Sequence, residues 1–321
     1  MKSAKETGDV TVLPPALKRI PGLRPTAHAL KGAALALRLA RSPFIRTYPP
    51  GDFYSPLPDA AEIPNEIPPR REIPGVDLRE ERQLALLERL GTLAADLPFQ
   101  EEPSADLRYW FGNEWFSYCD ATVLHAMLRH FRPQRVVEVG SGFSSAVMLD
   151  TRDRFLERTT HFTFIDPYPQ RLQSLLRPDD EGRCDVLPVK VQQVPMSIFE
   201  ALSKNDILFV DSSHVVKVGS DVAWIVFEIL PRLASGVVVH FHDIPWPFEY
   251  PTTWFRAGRA WNEAYFLRAL LQDSERFEIL FFNDFMKTHH RDALARHLPT
   301  AVKDSSFPLT RAASSLWIVK R

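Results

Sequence analysis

The apolar runs of this chain end in residues that can do chemistry. Glu138 stands two residues before the first of the paired glycines Gly140 and Gly142, and Asp166 closes the run over 161–166. Asp211 closes 206–211 with His214 three residues on, and the doublet His242-Asp243 closes 236–243. Unpaired charges at the end of buried segments are costly. One such ending would mean little, but four at the same edge of a sheet point to a shared polar pocket. Carboxylates and imidazoles gathered in this way can bind polar ligands, carry protons or hold a metal ion.

Each group has a specific use and a blander alternative. Hydroxyl groups are poor nucleophiles until a base or a metal removes the proton. His214 is the candidate base. Asp211 and Asp243 could present hard oxygen ligands to a Mg2+-like ion, with His242 as a third ligand. Against this, His214 and His242 can be hydrogen-bonded loop residues, and Asp211 can contact a cofactor without any metal. Asp166 lies about one strand–helix unit beyond the glycines, where an acid can accept both hydroxyls of an adenosine ribose; its alternative is a helix N-cap. His125, His130, His240 and His289-His290 have no evident partners and read as structural.

The glycines need an element to aim them. Val136, Val137 and Val139 form a β-branched run that reads as a strand buried on both faces, and Ser144-Ser145 open a helix. A strand, a glycine turn and a helix N-terminus present bare N–H groups to a ligand lying over the turn, with no Cβ to block its approach. A dinucleotide site wants G-x-G-x-x-G, and here the third position is Ser145, so that fingerprint is incomplete. The pattern with Glu138 is instead E-x-G-x-G, which resembles the first motif of class I S-adenosylmethionine-dependent methyltransferases.

Strand and helix signals alternate around this unit. Strands are predicted over 135–139, 161–166, 185–191, 206–211, 236–243, 277–282 and 315–320, with helices over 170–176, 196–202, 220–230 and 259–271 between them. Such repeats specify a Rossmann-like, doubly wound, mainly parallel seven-stranded sheet covered on both faces. Ahead of it, Asp77 could cap a helix that ends near Gly91, and a second helix is predicted over 114–131, stopped by Pro133. The loop over 245–254, with Trp261, Asn262 and Tyr265, could wall an acceptor or simply pack against the N-terminal arm. Phe53-Tyr54 and Asn113-Glu114 are candidates to close the pocket from the other side.

The first 75 residues differ, holding 13 of the 27 prolines. That density forbids long helices and central strands. The exception is 26–42, where Leu30, Ala33, Ala34 and Leu37 recur at helical spacing and Lys31, Arg38 and Arg41 share another side. Such a basic amphipathic helix can lie on a membrane, though packing on a neighbouring domain is its commoner use. The expected organisation is a proline-rich N-terminal arm over 1–75, a helical lead-in over 76–132 and a catalytic domain over 133–321.

Composition narrows the rest. With 321 residues and a formal net charge of −1, the chain has no basic block for nucleic acid. Cys119 and Cys184 make no metal or redox spacing, and there is no secretory h-region near Met1. A cytoplasmic protein is expected.

Taken together, Glu138-Val-Gly-Ser-Gly142, Asp166-Pro-Tyr, Asp211-Ser-Ser-His214 and His242-Asp243 resemble bacterial class I methyltransferases of the small-molecule type. The D-x-x-H pattern, followed one strand later by a doublet ending in Asp, is similar to the macrocin O-methyltransferase group. This resemblance covers about residues 110–321. It implies S-adenosylmethionine as donor, held by Glu138, Gly140, Ser141, Gly142, Asp166 and Asp211. It also implies a divalent ion such as Mg2+ on Asp211 and Asp243, and His214 as base toward a sugar hydroxyl. His242, the further metal candidate, stands where that group has a carboxylate. The expected partner is a small-molecule acceptor, a saccharide or secondary metabolite, with homo-oligomer formation left open. Two rivals are an NAD-dependent oxidoreductase and a non-catalytic scaffold that keeps the cofactor pocket.

Overall fold

The computed structural model describes residues 23–157, 160–311 and 313–321, with side chains from residue 32 onward. The described residues divide into two compact units, the first ending at Pro64 and the second spanning 65–321. The first contains the helix Leu23–Arg41, in keeping with the helical spacing of its sequence, then a short helix Pro43–Thr47. Turns and bends follow where the prolines crowd. The facing of Leu30 and Lys31 lies outside the described residues.

The second unit is built on seven strands: β1 Arg135–Val139, β2 His161–Ile165, β3 Cys184–Leu187, β4 Ile207–Val210, β5 Val238–Phe241, β6 Phe277–Phe282 and β7 Leu316–Lys320. Their order is β3-β2-β1-β4-β5-β7-β6, parallel except for β7, which runs antiparallel to both neighbours. The predicted mainly parallel, Rossmann-like sheet is borne out. Strand ends differ in detail: β3 stops before Pro188, whose missing N–H cannot continue a ladder.

Helical segments depart more. The helix predicted to start at Asp77 runs Glu80–Leu93; Asp77 instead accepts the N–H of Arg79, and Arg79 takes the capping position with φ 51°. Gly91 lies inside that helix, where a Cβ would stand 2.9 Å from His297, so its role is close helix packing. The helix predicted from 114 begins at Tyr118, because Asn113 ties down the preceding loop: its amide donates to the Phe116 carbonyl and accepts the Phe116 N–H at 2.8 Å. After β4, Ser220 caps Asp221–Trp224, and the chain then widens into a π turn over Ile225–Ile229 ahead of Pro231. Helices Thr252–Arg256, Asn283–His289 and Arg291–His297 carried no signal strong enough to predict.

The sequence order reverses between β1 and β4, and a crevice opens there beyond the carboxyl ends of the strands. Ladder registers align those ends: the N–H of Gly140 donates to Ile165, that of Asp211 to Val139 and that of His242 to Val210, each at 2.9 Å. The residues immediately after β1, β2, β4 and β5 thus stand side by side. Arg108, buried, ties the lead-in to the helix Phe143–Phe155 through Asp150 at 2.7 Å and to the turn Pro178–Asp180 through Asp180 at 2.8 Å.

Gly140 carries the tightest constraint of this edge. Its φ is 85°, and a Cβ built on it would fall 1.7 Å from the Asp211 carbonyl oxygen. Gly140→Ala is therefore expected to lose about 2–4 kcal/mol, since strand ends must part as well as strain. Gly182, with φ +74° and open space around it, serves as control. There Ala should cost only about 1 kcal/mol. Urea unfolding midpoints check both, and equal losses would mean that the clash is relieved at no cost.

Candidate functional site

Two cavities meet at the β1–β4 crevice. One, of about 710 Å³, is lined by Trp115, Gly142, His214, Arg259 and Trp261 among others; the second, of about 530 Å³, is lined by Tyr168, Val191, Gln192 and Lys217. Both share Gly140, Asp166, Asp211, Ser212 and Ser213 as their common floor. The residues predicted from strand ends are thus brought to one place, with a lobe on either side.

The glycine turn is held from below and from the side. Glu138 does not line the cavities; it is fully buried under the turn, and both the Ser144 and Ser145 hydroxyls donate to its carboxyl, the former at 2.5 Å. Ser145, in the place of a third glycine, also accepts the Gly142 N–H at 3.0 Å. Burial pushes the Glu138 carboxyl up to about 8 despite these donors, so it is neutral at pH 7. Asp166 faces the common floor and accepts the Ser141 N–H at 3.0 Å and the Tyr168 N–H at 2.7 Å. It is placed both to brace the turn and to present a carboxylate to the crevice.

Asp211, His214, His242 and Asp243 form one charge cluster. His214 Nε2 stands 3.5 Å from Asp211 and 3.8 Å from Asp243, while His242 Nδ1 stands 3.5 Å from Asp211 and 3.7 Å from Asp243. His214 and Asp243 both adopt left-handed backbone, with φ of 58° and 55°, a conformation that non-glycine residues hold only when the surroundings enforce it. Burial pushes the His214 imidazole down, but Asp211, Glu263 and Asp243 outweigh it and hold it up at about 10. His242 is treated alike: burial opposes its charge, while Asp243, Asp211 and Asp120 raise it well above the ordinary range. Burial would raise Asp211, yet the two imidazoles hold it far below the usual carboxylate range.

Two members of the cluster carried no sequence signal. Glu263, buried at the start of helix Glu263–Leu271, bonds His214 Nδ1 at 3.0 Å and so fixes which ring nitrogen faces the cavity. Asp120, buried in helix Tyr118–Phe131, accepts the Ser314 and Ser315 N–H groups at 3.0 Å and lies 3.5 Å from His242 Nε2. Both stand far along the chain from the residues they orient, on helix faces where a lone acid looks like surface.

The aromatic loop after β5 divides. Trp246, Phe248, Tyr250 and Trp254 are buried, and Trp246 donates its indole N–H to the Arg70 carbonyl at 3.0 Å, so packing is their work. Trp261 alone among the predicted wall residues lines the larger cavity, its ring 4.4 Å from that of His214. Glu114 and Trp115 supply the opposite wall. Phe53 and Tyr54 belong to the first unit and are exposed.

The donor set was tested against a divalent ion. Among the described residues no group of three or more His, Cys, Asp and Glu is placed to hold one. Separations of 3.5–3.8 Å between donor atoms match neither the roughly 2.9 Å between adjacent ligands nor the roughly 4.1 Å between opposite ligands at 2.0–2.1 Å from octahedral Mg2+, and imidazole is a poor ligand for that hard ion. The residues as arranged do not fit it.

Residues 137–244 match a family described as a methyltransferase domain. A protein of Archaeoglobus fulgidus, described as uncharacterized, is 34% identical over 171 residues, spanning 50% of this chain and 76% of that relative. Among solved structures, this chain is similar to an S-adenosylhomocysteine-bound methyltransferase from Podospora anserina (13% identity, 80% of this chain and 100% of that one, TM-score 0.41). It is also similar to an O-methyltransferase of tomaymycin synthesis from Streptomyces achromogenes in complex with S-adenosylmethionine (12% identity, 74% and 89%, TM-score 0.40).

The raised carboxyl of Glu138 makes stability depend on pH. Unfolded, Glu138 releases its proton near its ordinary value of 4.5; folded, it keeps the proton up to about 8. Between these values the folded state binds more protons, so this group makes stability fall as pH rises, by up to about 1.4 kcal/mol per unit. Glu138→Gln, which mimics the neutral acid, is expected to remove that slope and to gain on the parent toward pH 8. Urea unfolding at intervals from pH 5 to 9 checks this; parallel profiles would mean that Glu138 is ionised in the folded protein.

Proposed function

We propose that the chain is an S-adenosylmethionine-dependent methyltransferase that transfers the methyl group to a hydroxyl oxygen of a small molecule, a saccharide or secondary metabolite; it belongs to the same family as the Archaeoglobus fulgidus protein, and its residues 137–244 match a methyltransferase domain. The observation that carries this finer reading is the pairing of lobes around one floor. Gly140 and Asp166 face both lobes from the shared floor, and His214 opens into the larger one together with Ser141 and Gly142. An oxidoreductase is disfavoured by the methyltransferase match and by Ser145, whose hydroxyl belongs to the support of Glu138. The similarity of the motifs to the macrocin group supports a sugar hydroxyl. The two cysteines, both free, support a reducing, cytoplasmic setting.

Mechanism follows from the charges. Methyl transfer from a sulfonium needs donor and acceptor held in line and the acceptor proton removed. Asp166 would accept the ribose hydroxyls of the donor, and the turn from Gly140 to Gly142 would let the donor approach the backbone. His214, cationic while Asp211 and Asp243 face it, cannot accept a proton in that state. To act as base, His214 must first lose that proton to solvent in the open cavity, which leaves a neutral imidazole with Glu263 still on Nδ1. Glu263 then stabilises the imidazolium that forms when the acceptor proton arrives.

Calorimetry with S-adenosylhomocysteine tests the donor site: the chain should bind it, and Asp166→Ala should weaken binding by about 1.5–3 kcal/mol. No detectable binding by the parent protein would remove the reading. For the base, turnover of an acceptor found by screening saccharides and phenols with labelled donor should fall by about 10²-fold or more in His214→Ala. S-adenosylhomocysteine affinity should be retained in that variant, and undiminished turnover would rule His214 out. Activity is expected to survive exhaustive dialysis against EDTA; loss restored by Mg2+ would instead support the divalent ion implied by the macrocin resemblance.

A further inference from the structure

The charges of the larger cavity do not balance evenly around its mouth. Asp211 and Asp243 on the floor are matched by His214 and His242, and the rim residue Arg311 is matched by Asp284, 2.7 Å away. Arg171 and Arg259 also line this cavity, yet among the described residues neither forms an ion pair with a carboxylate. Both are held by aromatic rings: Arg171 lies 4.0 Å over exposed Trp115, and Arg259 lies 5.0 Å from the ring centres of both Trp254 and Trp261. Contact with aromatic rings restrains a guanidinium without consuming its N–H donors, which stay available for a bidentate oxyanion.

Of the two, Arg259 is on the acceptor side. Arg171 reaches over the glycine turn, its Cδ 3.1 Å from where a Cβ on Gly142 would stand. Arg259 leans on Trp261, whose ring packs against His214, and donates one Nη1 bond to the Leu309 carbonyl at 3.1 Å. That leaves further donors of its fork for a ligand. Thr310, next along, bonds the Glu114 carbonyl, so the segment bearing Leu309 also closes the rim toward Trp115. Glu114 also lines this rim, and among the described residues its carboxylate pairs with neither arginine.

We propose that the acceptor carries an oxyanion, a carboxylate or a phosphate monoester, and that Arg259 captures it while the body of the acceptor lies across Trp261 with its hydroxyl toward His214. The proposal rests on the methyltransferase reading only for what happens to that hydroxyl. The anion site itself is independent of it.

The test titrates the full chain, with and without saturating S-adenosylhomocysteine, with phenyl phosphate, benzoate and benzyl alcohol, followed by calorimetry. At least one anion is expected to bind about tenfold or more tightly than the alcohol, as fits a charge-assisted bidentate pair. Tighter phenyl phosphate assigns a phosphate, and tighter benzoate a carboxylate. Arg259→Met, which keeps much of the packing, should abolish the preference; Arg259→Lys, which keeps charge without the fork, should retain part of it; and Arg171→Met should leave it in place. Equal binding of all three probes, or a preference that survives in Arg259→Met or is lost in Arg171→Met, overturns the assignment. Failure to bind S-adenosylhomocysteine would count against the methyl-transfer reading alone, since the anion preference is read without it as well.

Discussion

The site depends on a mutual constraint among charges that are buried, at Asp120, Glu263, His214 and His242, or half-buried, at Asp211 and Asp243. Asp120, Asp211, Asp243 and Glu263 surround the imidazoles of His214 and His242, and none of these groups could be withdrawn from water alone. Each imidazolium lowers the cost of the carboxylates beside it, and each carboxylate keeps an imidazole charged against the burial that would neutralise it. The cluster is therefore a single electrostatic object. It is held by the left-handed backbone at His214 and Asp243 and braced from behind by two acids on separate helices.

That object needs a fixed floor, which the sheet provides. Parallel strands in register bring Gly140, Asp166, Asp211 and His242 into one row through ladder hydrogen bonds that continue a residue past the strands. The missing Cβ of Gly140 lets β1 and β4 close on one another at the point where the sequence order reverses. Glu138 supports the turn from beneath as a neutral acid tied to two serine hydroxyls, a role distinct from touching a ligand. The consequence is a crevice with a polar floor and two lobes, one free to take a nucleoside and one walled by Trp115, Trp261 and arginines.

The parts of the chain that departed from expectation did so for local reasons. Pro188 shortens β3, Asn113 delays a helix by knotting the loop before it, and Asp77 serves a turn because Arg79 takes the cap. By composition the aromatic loop after β5 could either wall an acceptor or pack against the N-terminal arm. Most of it is core, since indole and phenyl rings of that size gain more from burial than from lining a wet cavity.

Sequence alone determined the elements whose signal is local. The β-branched run at 136–139, the glycines after it and the repeated strand–helix spacing specify the sheet, because strand period and turn chemistry act over a few residues. The same patterning placed Asp166, Asp211, His214, His242 and Asp243 at one edge, because parallel connections return every strand in the same direction. Only tertiary structure decided what each acid does. Whether Glu138 faces a ligand or a serine pair, whether an imidazole is charged, and that Asp120 and Glu263 belong to the cluster depend on neighbours 49 residues away for His214 and Glu263, and 194 for Ser314 and Asp120. Electrostatic energy is set by distance in space and by burial, and neither can be read along the chain.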